Sequence, residues 1–234
     1  MKNARRPVAA AINPRSPALW LAAAAVAATM TLSAGTARAE SNFVNGAGTA
    51  TARLNFSIVI PKFLYLQVGT GTYPTTVATI DNIQFDMSSA ISSIGNGTAQ
   101  SATSGGDISV GSVTARVVGN NFTAATNLQA STAGAMTNGA GGTISWSEIV
   151  LAAAPTAITV VPAAAAVLNH PGSVAAPFVD GGNTTVSLTP VNRVINQAAK
   201  WTFQYKNTNV PASGSYGAAG SGTNGQVTYQ IIMP

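Results

Sequence analysis

Ala50-Thr51-Ala52-Arg53-Leu54-Asn55-Phe56-Ser57-Ile58-Val59-Ile60 is the stretch whose rhythm decides the fold class. Ala50, Ala52, Leu54, Phe56, Ile58 and Ile60 alternate with Thr51, Arg53, Asn55 and Ser57. Successive side chains of an extended chain point to opposite faces, whereas a helix would space its apolar positions by three and four. A period of two held this long predicts a half-buried β-strand over 50–60. Pro61 interrupts the pattern, and a second apolar run over 63–68 ends at Gly69-Thr70-Gly71.

Working outward, the same rhythm recurs. Residues 109–118 set Val113, Ala115 and Val117 against Thr114 and Arg116. Residues 200–206 set Trp201, Phe203 and Tyr205 against Thr202 and Gln204, and 226–233 set Val227, Tyr229, Ile231 and Met233 against Thr228, Gln230 and Ile232. Shorter strands are predicted over 80–85, 127–131, 157–161 and 184–188. Over 143–151, Ile144 and Trp146 point inward; Glu148 would continue that face, so a bulge is expected near Ser147 or Glu148. Asn138-Gly139, Gly141-Gly142, Gly95-Asn96-Gly97 and Asp180-Gly181-Gly182-Asn183 supply the positive φ that tight turns require. The run 163–168, bounded by Pro162 and Pro171, is read as at most one helical turn. Segments 87–106 and 207–225, rich in Ser, Gly, Ala and Asn, read as long loops. The pattern predicts an all-β protein: a single antiparallel β-sandwich over 40–234, immunoglobulin-like with Greek-key links.

The first 39 residues follow another logic. Lys2, Arg5, Arg6 and Arg15 precede an apolar run over 18–32, then Ala37-Arg38-Ala39. This is the layout of a cleaved secretory signal peptide, too short for a bilayer span of about 20 residues. Cleavage after Ala39 would remove five of the eleven basic residues and none of the six acidic ones, leaving 195 residues with no net charge. A neutral chain with twelve scattered charges is not a nucleic-acid binder, which needs clustered Lys and Arg. The expected location is periplasm, cell surface or exterior, with no membrane span after cleavage. That compartment permits disulfides, yet the chain has no cysteine.

The chemical inventory is thin. Absence of Cys excludes thiol nucleophiles and zinc–thiolate sites. The single histidine, His170 in Asn169-His170-Pro171-Gly172, reads as an exposed turn residue rather than a member of a Ser-His-Asp triad. Lys62, Lys200 and Lys206 lack the S-x-x-K context of a Ser–Lys dyad. Asp81, Asp86, Asp107, Glu148 and Asp180 are the acids available for paired-carboxylate hydrolysis; Asp81 and Asp86 would face opposite sides of a strand. Asp180 to Asn183 offers too few oxygens for calcium and reads as a hairpin turn. Gly69-Thr70-Gly71 and the glycines of 214–225 lack the Lys-Ser/Thr of a phosphate loop. No catalytic residue, cofactor or metal is expected, and the chain reads as a non-enzyme. Trp146, Trp201, Tyr205 and Tyr229 read as core aromatics. Tyr73 and Tyr216, in Pro-flanked and Gly-rich settings, are the candidate ligand-binding aromatics.

An uncharged surface of Thr, Ser, Asn and Gln offers little repulsion between copies. Edge strands are commonly guarded by Lys or Pro, but 226–233 carries no charge. The leader, the opening strand, Trp201-Thr202-Phe203-Gln204-Tyr205, and the finish Gly214-Ser215-Tyr216-Gly217 then Gly225-Gln226-Val227-Thr228-Tyr229 together resemble bacterial fimbrial or pilin-type sandwich subunits. The chain departs from them in lacking a disulfide and in having Met233, not an aromatic, next to last. Residues 40–49 are short for a separate donor strand, though 50–60 itself has the pattern of one. The resemblance implies an exported structural or adhesive subunit assembling through strand edges, by self-association or with a periplasmic chaperone; it carries over no binding residue. The other reading is a periplasmic or secreted binding module for carbohydrate.

Overall fold

The structure, a computed structural model, describes residues 40–156, 162–172, 178–217 and 223–233. The chain divides into two units, 1–59 and 60–234. The expected leader and the strand expected over 157–161 lie outside the described residues. Among the described residues no helix is long and apolar enough to cross a membrane.

In the first unit, residues 40–59 form no strand. One ion pair, Arg53 Nε to Glu40 Oε2 at 2.8 Å, ties its ends. The alternation over 50–60 is real, but these residues form no strand. Leu54, Phe56, Ile58 and Ile60 are 59%, 85%, 85% and 73% exposed. The expected half-buried strand is corrected: a strand buries a face only where a neighbour covers it.

The second unit is all-β. Its central element is β10 (Val194–Tyr205), twelve residues long. It pairs antiparallel with β3 (Ser112–Asn120), with Lys200 opposite Thr114 and Trp201 opposite Val113. β1 (Leu64–Val68) pairs antiparallel with the other side of β3, Leu66 opposite Val117. β2 (Gln100–Ser101) and β7 (Ile149–Ala154) add to β10 antiparallel, and β8 (Ala166–Val167) adds parallel. A three-stranded antiparallel sheet runs in the order β11 (Val227–Ile231), β4 (Thr126–Thr132), β9 (Asn183–Leu188). β5 (Met136–Thr137) and β6 (Thr143–Ile144) form a hairpin, with Gly139 and Gly141 at φ 72° and 91° as its turn needs.

The core is drawn from both larger sheets. Val113, Ala115 and Val117 of β3 and Ile195, Ala199 and Trp201 of β10 pack with Leu128 of β4 and Leu188 of β9. A second cluster joins Trp146, Ile149, Phe178 and Tyr205 to Ala130. The alternation of 113–117 and 201–205 therefore points inward as expected. β3 differs in one respect: Thr114 and Arg116, expected outside, are 4% and 3% exposed. A strand with neighbours on both edges and chain over both faces is central, and half-burial is not its rule.

Three further expectations change. Residues 80–85 form no strand, only a bridge from Gln84 to Ser104, and Asp81 bonds the Thr70 amide and hydroxyl. The bulge near Ser147 is instead a 3-10 turn, Trp146–Glu148, capped by Ser145 Oγ accepting from the Ser147 amide. The turn expected over 163–168 contains strand β8. Of the two loops, 87–106 holds a 3-10 turn, Ile91–Ser93, and β2.

Candidate interaction edge

β1 spends one edge on β3; among the described residues no backbone hydrogen bond reaches the other. A groove of about 370 Å³ runs along that free edge, lined by Leu64–Val68 themselves, by residues 70–71, 75–77 and 79, and by Tyr229. Five consecutive residues lining one groove means that the backbone edge, with both faces of the strand, is its wall. Leu64, Leu66 and Val68 face the core and pack on it. Tyr65 and Gln67 face the opposite way. Each β1 residue is half-buried.

The outer face is a polar network on an aromatic base. Tyr65 Oη donates to Gln67 Oε1 (3.1 Å), and Gln67 Nε2 donates to the carbonyls of Gly69 (2.9 Å) and Gly71 (3.1 Å). Tyr73 meets Tyr65 edge-on at 5.1 Å, and the Arg116 guanidinium lies 4.8 Å from the Tyr73 ring centre. Arg116 Nη2 donates to the Pro162 carbonyl at 2.8 Å. Burial lowers the Arg116 pKa and raises that of Tyr65.

Tyr73, a candidate ligand aromatic, thus has one ring face covered by Arg116. Tyr216, the other, donates its hydroxyl to the Ala212 carbonyl at 2.5 Å and lies 3.5 Å from Asn138 Nδ2. The two sit in different surroundings, so they form no common platform.

The carboxylates serve the backbone. Asp107 Oδ1 accepts from the Thr114 amide (2.7 Å), and Asp180 Oδ1 from the Trp146 amide (2.7 Å). Glu148, 8% exposed, accepts from both the amide and the hydroxyl of Thr208. The Ser88 side chain, and then its amide, hydrogen-bond Asp86 and lower its pKa. Among the described residues no three His, Asp or Glu side chains converge as a metal site requires.

His170 overturns its expectation as an exposed turn residue. It is 6% exposed, among aromatic rings, with Nε2 2.8 Å from Tyr229 Oη. The sequence Asn169-His170-Pro171-Gly172 carries turn chemistry, which is local; burial comes from rings of β10 and β11 far along the chain. The position of the free β1 edge had no signal in the sequence, because a free edge is a property of strand order. No family model, curated protein or solved structure matches the chain.

Proposed function

We propose that the chain is an exported structural or adhesive subunit, with a signal peptide over 1–39 and a single Greek-key sandwich, that assembles through its sheet edges. Residues 50–60 of one copy add as a strand along the free edge of β1 in another. The observation that carries this is the exposure of an alternating apolar face, with Phe56 and Ile58 each 85% exposed, on a chain that also has an unpaired sheet edge. Water-exposed rows of large apolar side chains mark interaction surfaces, and an extended segment meets a sheet edge by main-chain hydrogen bonds with alternate side chains in pockets.

The two patterns match face for face. With Leu54, Phe56, Ile58 and Ile60 laid on the side of Leu64, Leu66 and Val68, the donor's Arg53, Asn55 and Ser57 fall beside Tyr65 and Gln67. Residues 61–63 favour an intermolecular donor. The Asn120 side chain binds the Pro61 carbonyl (2.8 Å) and the Phe63 amide (2.9 Å), continuing the line of β1. No residue from 47 to 68 has positive φ, so the tight turn of a two-residue hairpin is absent there.

Light scattering and electron microscopy of the protein from residue 40 onward test this. Oligomers or filaments are expected at rising concentration. Phe56→Asp, which leaves the second unit's core untouched, should weaken self-association by about thirtyfold or more, since burying such a side chain contributes roughly 2 kcal/mol. A protein that stays monomeric at millimolar concentration with 50–60 open to protease would remove the basis of the proposal.

A further inference from the structure

The aromatic core holds one group able to charge near neutral pH. His170 is the only imidazole in the chain. Trp201 (4.4 Å between ring centres) and Phe203 (5.9 Å) of β10, Phe178 (5.1 Å) and Tyr229 (5.5 Å) of β11 all meet it edge-on. Nε2 lies 2.8 Å from the Tyr229 hydroxyl, a polar link from the 168–172 segment to β11. At the other nitrogen, the Gly172 amide donates to Nδ1 at 2.8 Å, and the Gly172 carbonyl is 2.7 Å away. The neutral ring can accept from that amide; an imidazolium, a donor at both nitrogens, cannot.

Among the described residues no carboxylate faces the ring; the Gly172 carbonyl, 2.7 Å from Nδ1, favours the charge but only partly offsets burial. On β10, Lys200 points to the face opposite Trp201, and it is itself a cation. On β11 the titratable neighbour is Tyr229, whose hydroxyl burial holds neutral by raising its pKa. Asp180, two residues beyond Phe178, accepts at Oδ1 from the Trp146 amide. The segment 168–172 carries no other charged residue.

The elements enclosing the ring are not equally held. β10 is paired by β3, β7, β2 and β8. β11 is paired by β4 alone. We propose that His170 is an acid-sensitive latch: its protonation releases β11 from the core and lets water reach the ring. An unpaired charge in an apolar site costs several kcal/mol, so the structure opens where the fewest bonds break.

Burial depresses the folded-state pKa of His170 from 6.5 to about 4, against a smaller opposing effect of the Gly172 backbone. The closed state is therefore fully favoured above pH 6.5 and loses that advantage as pH falls toward 4. The latch goes beyond the assembly reading and does not rest on it, because it is read at β11 amides and not by association.

Hydrogen–deuterium exchange of the purified protein from pH 7.5 to 4.5, corrected for intrinsic rates and read at low concentration, tests it. Protection of 227–231 should fall by up to about tenfold per pH unit below 6.5, while 113–118 and 195–201 stay protected. His170→Gln should flatten that dependence. Protection of β11 that ignores pH, or falls equally in His170→Gln, or falls together with β3 and β10, overturns the latch. Should the variant not fold, ring proton resonances of His170 in the native protein decide: titration in step with β11 opening supports the latch, and titration with β11 still protected overturns it.

Discussion

Asn207 stands in the left-handed region at φ 59° with its side chain fully buried. Its Nδ2 donates to the Ser93 carbonyl (2.7 Å) and to Asn96 Oδ1 (3.2 Å); its Oδ1 accepts from the Gly95 amide (2.8 Å) and its carbonyl from the Gly97 amide (2.9 Å). One residue thus closes the loop 93–97 from more than a hundred positions away. Asn207→Ala should cost about 1–3 kcal/mol, because it leaves the Gly95 amide and the Ser93 carbonyl without their partner. Denaturant unfolding would measure the loss, and exchange at 93–98 should rise more than elsewhere. Loss below a few tenths of a kcal/mol would mean that water replaces the side chain freely. The turn chemistry of Gly95-Asn96-Gly97 was readable from composition; that the turn docks on Asn207 instead of joining two strands was not, since the two are remote in sequence.

At the scale of elements, the segment before β3 is shaped by a close backbone approach. Gly105 lies at φ +85°, and a Cβ there would come within 1.7 Å of the Asn82 carbonyl oxygen. The Gln84–Ser104 bridge holds the two segments at that distance. Gly105→Ala should destabilise by more than about 2 kcal/mol, since backbone must shift as well as accept a strained φ. Gly97, at φ +76° with open space around its Cβ direction, is the matched control: Gly97→Ala should cost only about 1–2 kcal/mol of left-handed strain. Equal thermal shifts in the two variants would mean that packing at 82–84 is slack. Local alternation identified β3, β4, β9, β11 and the second half of β10, because each of these buries a face, and the apolar run over 63–68 contains β1. It missed Val194–Ala199, where buried Ile195, Ala198 and Ala199 break strict alternation in a strand enclosed on both sides. It also assigned a strand to 50–60, which form none.

For the molecule as a whole, charge plays a small part in holding the second unit together. The ion pair Arg53–Glu40 is exposed and lies in the first unit, whereas in the second unit Asp107, Asp180 and Glu148 bond backbone amides. Surface pairs of this kind contribute roughly 0–1 kcal/mol and are screened by salt. Stability of the second unit should therefore change little between 0.05 and 0.5 M sodium chloride, by less than about 1 kcal/mol in denaturant unfolding. A larger fall would point to ion pairs that the folded chain forms elsewhere.

The amino-acid sequence by itself determined the fold class and much of the inward face. Side-chain direction in an extended chain follows the pleat residue by residue, so alternation reports burial without knowledge of partners. It could not determine which strands stand at an edge, that Arg116 and His170 are buried, or that the apolar face of 50–60 lies open. Those depend on strand order and on chain arriving from distant positions, and only the tertiary structure brings those positions together.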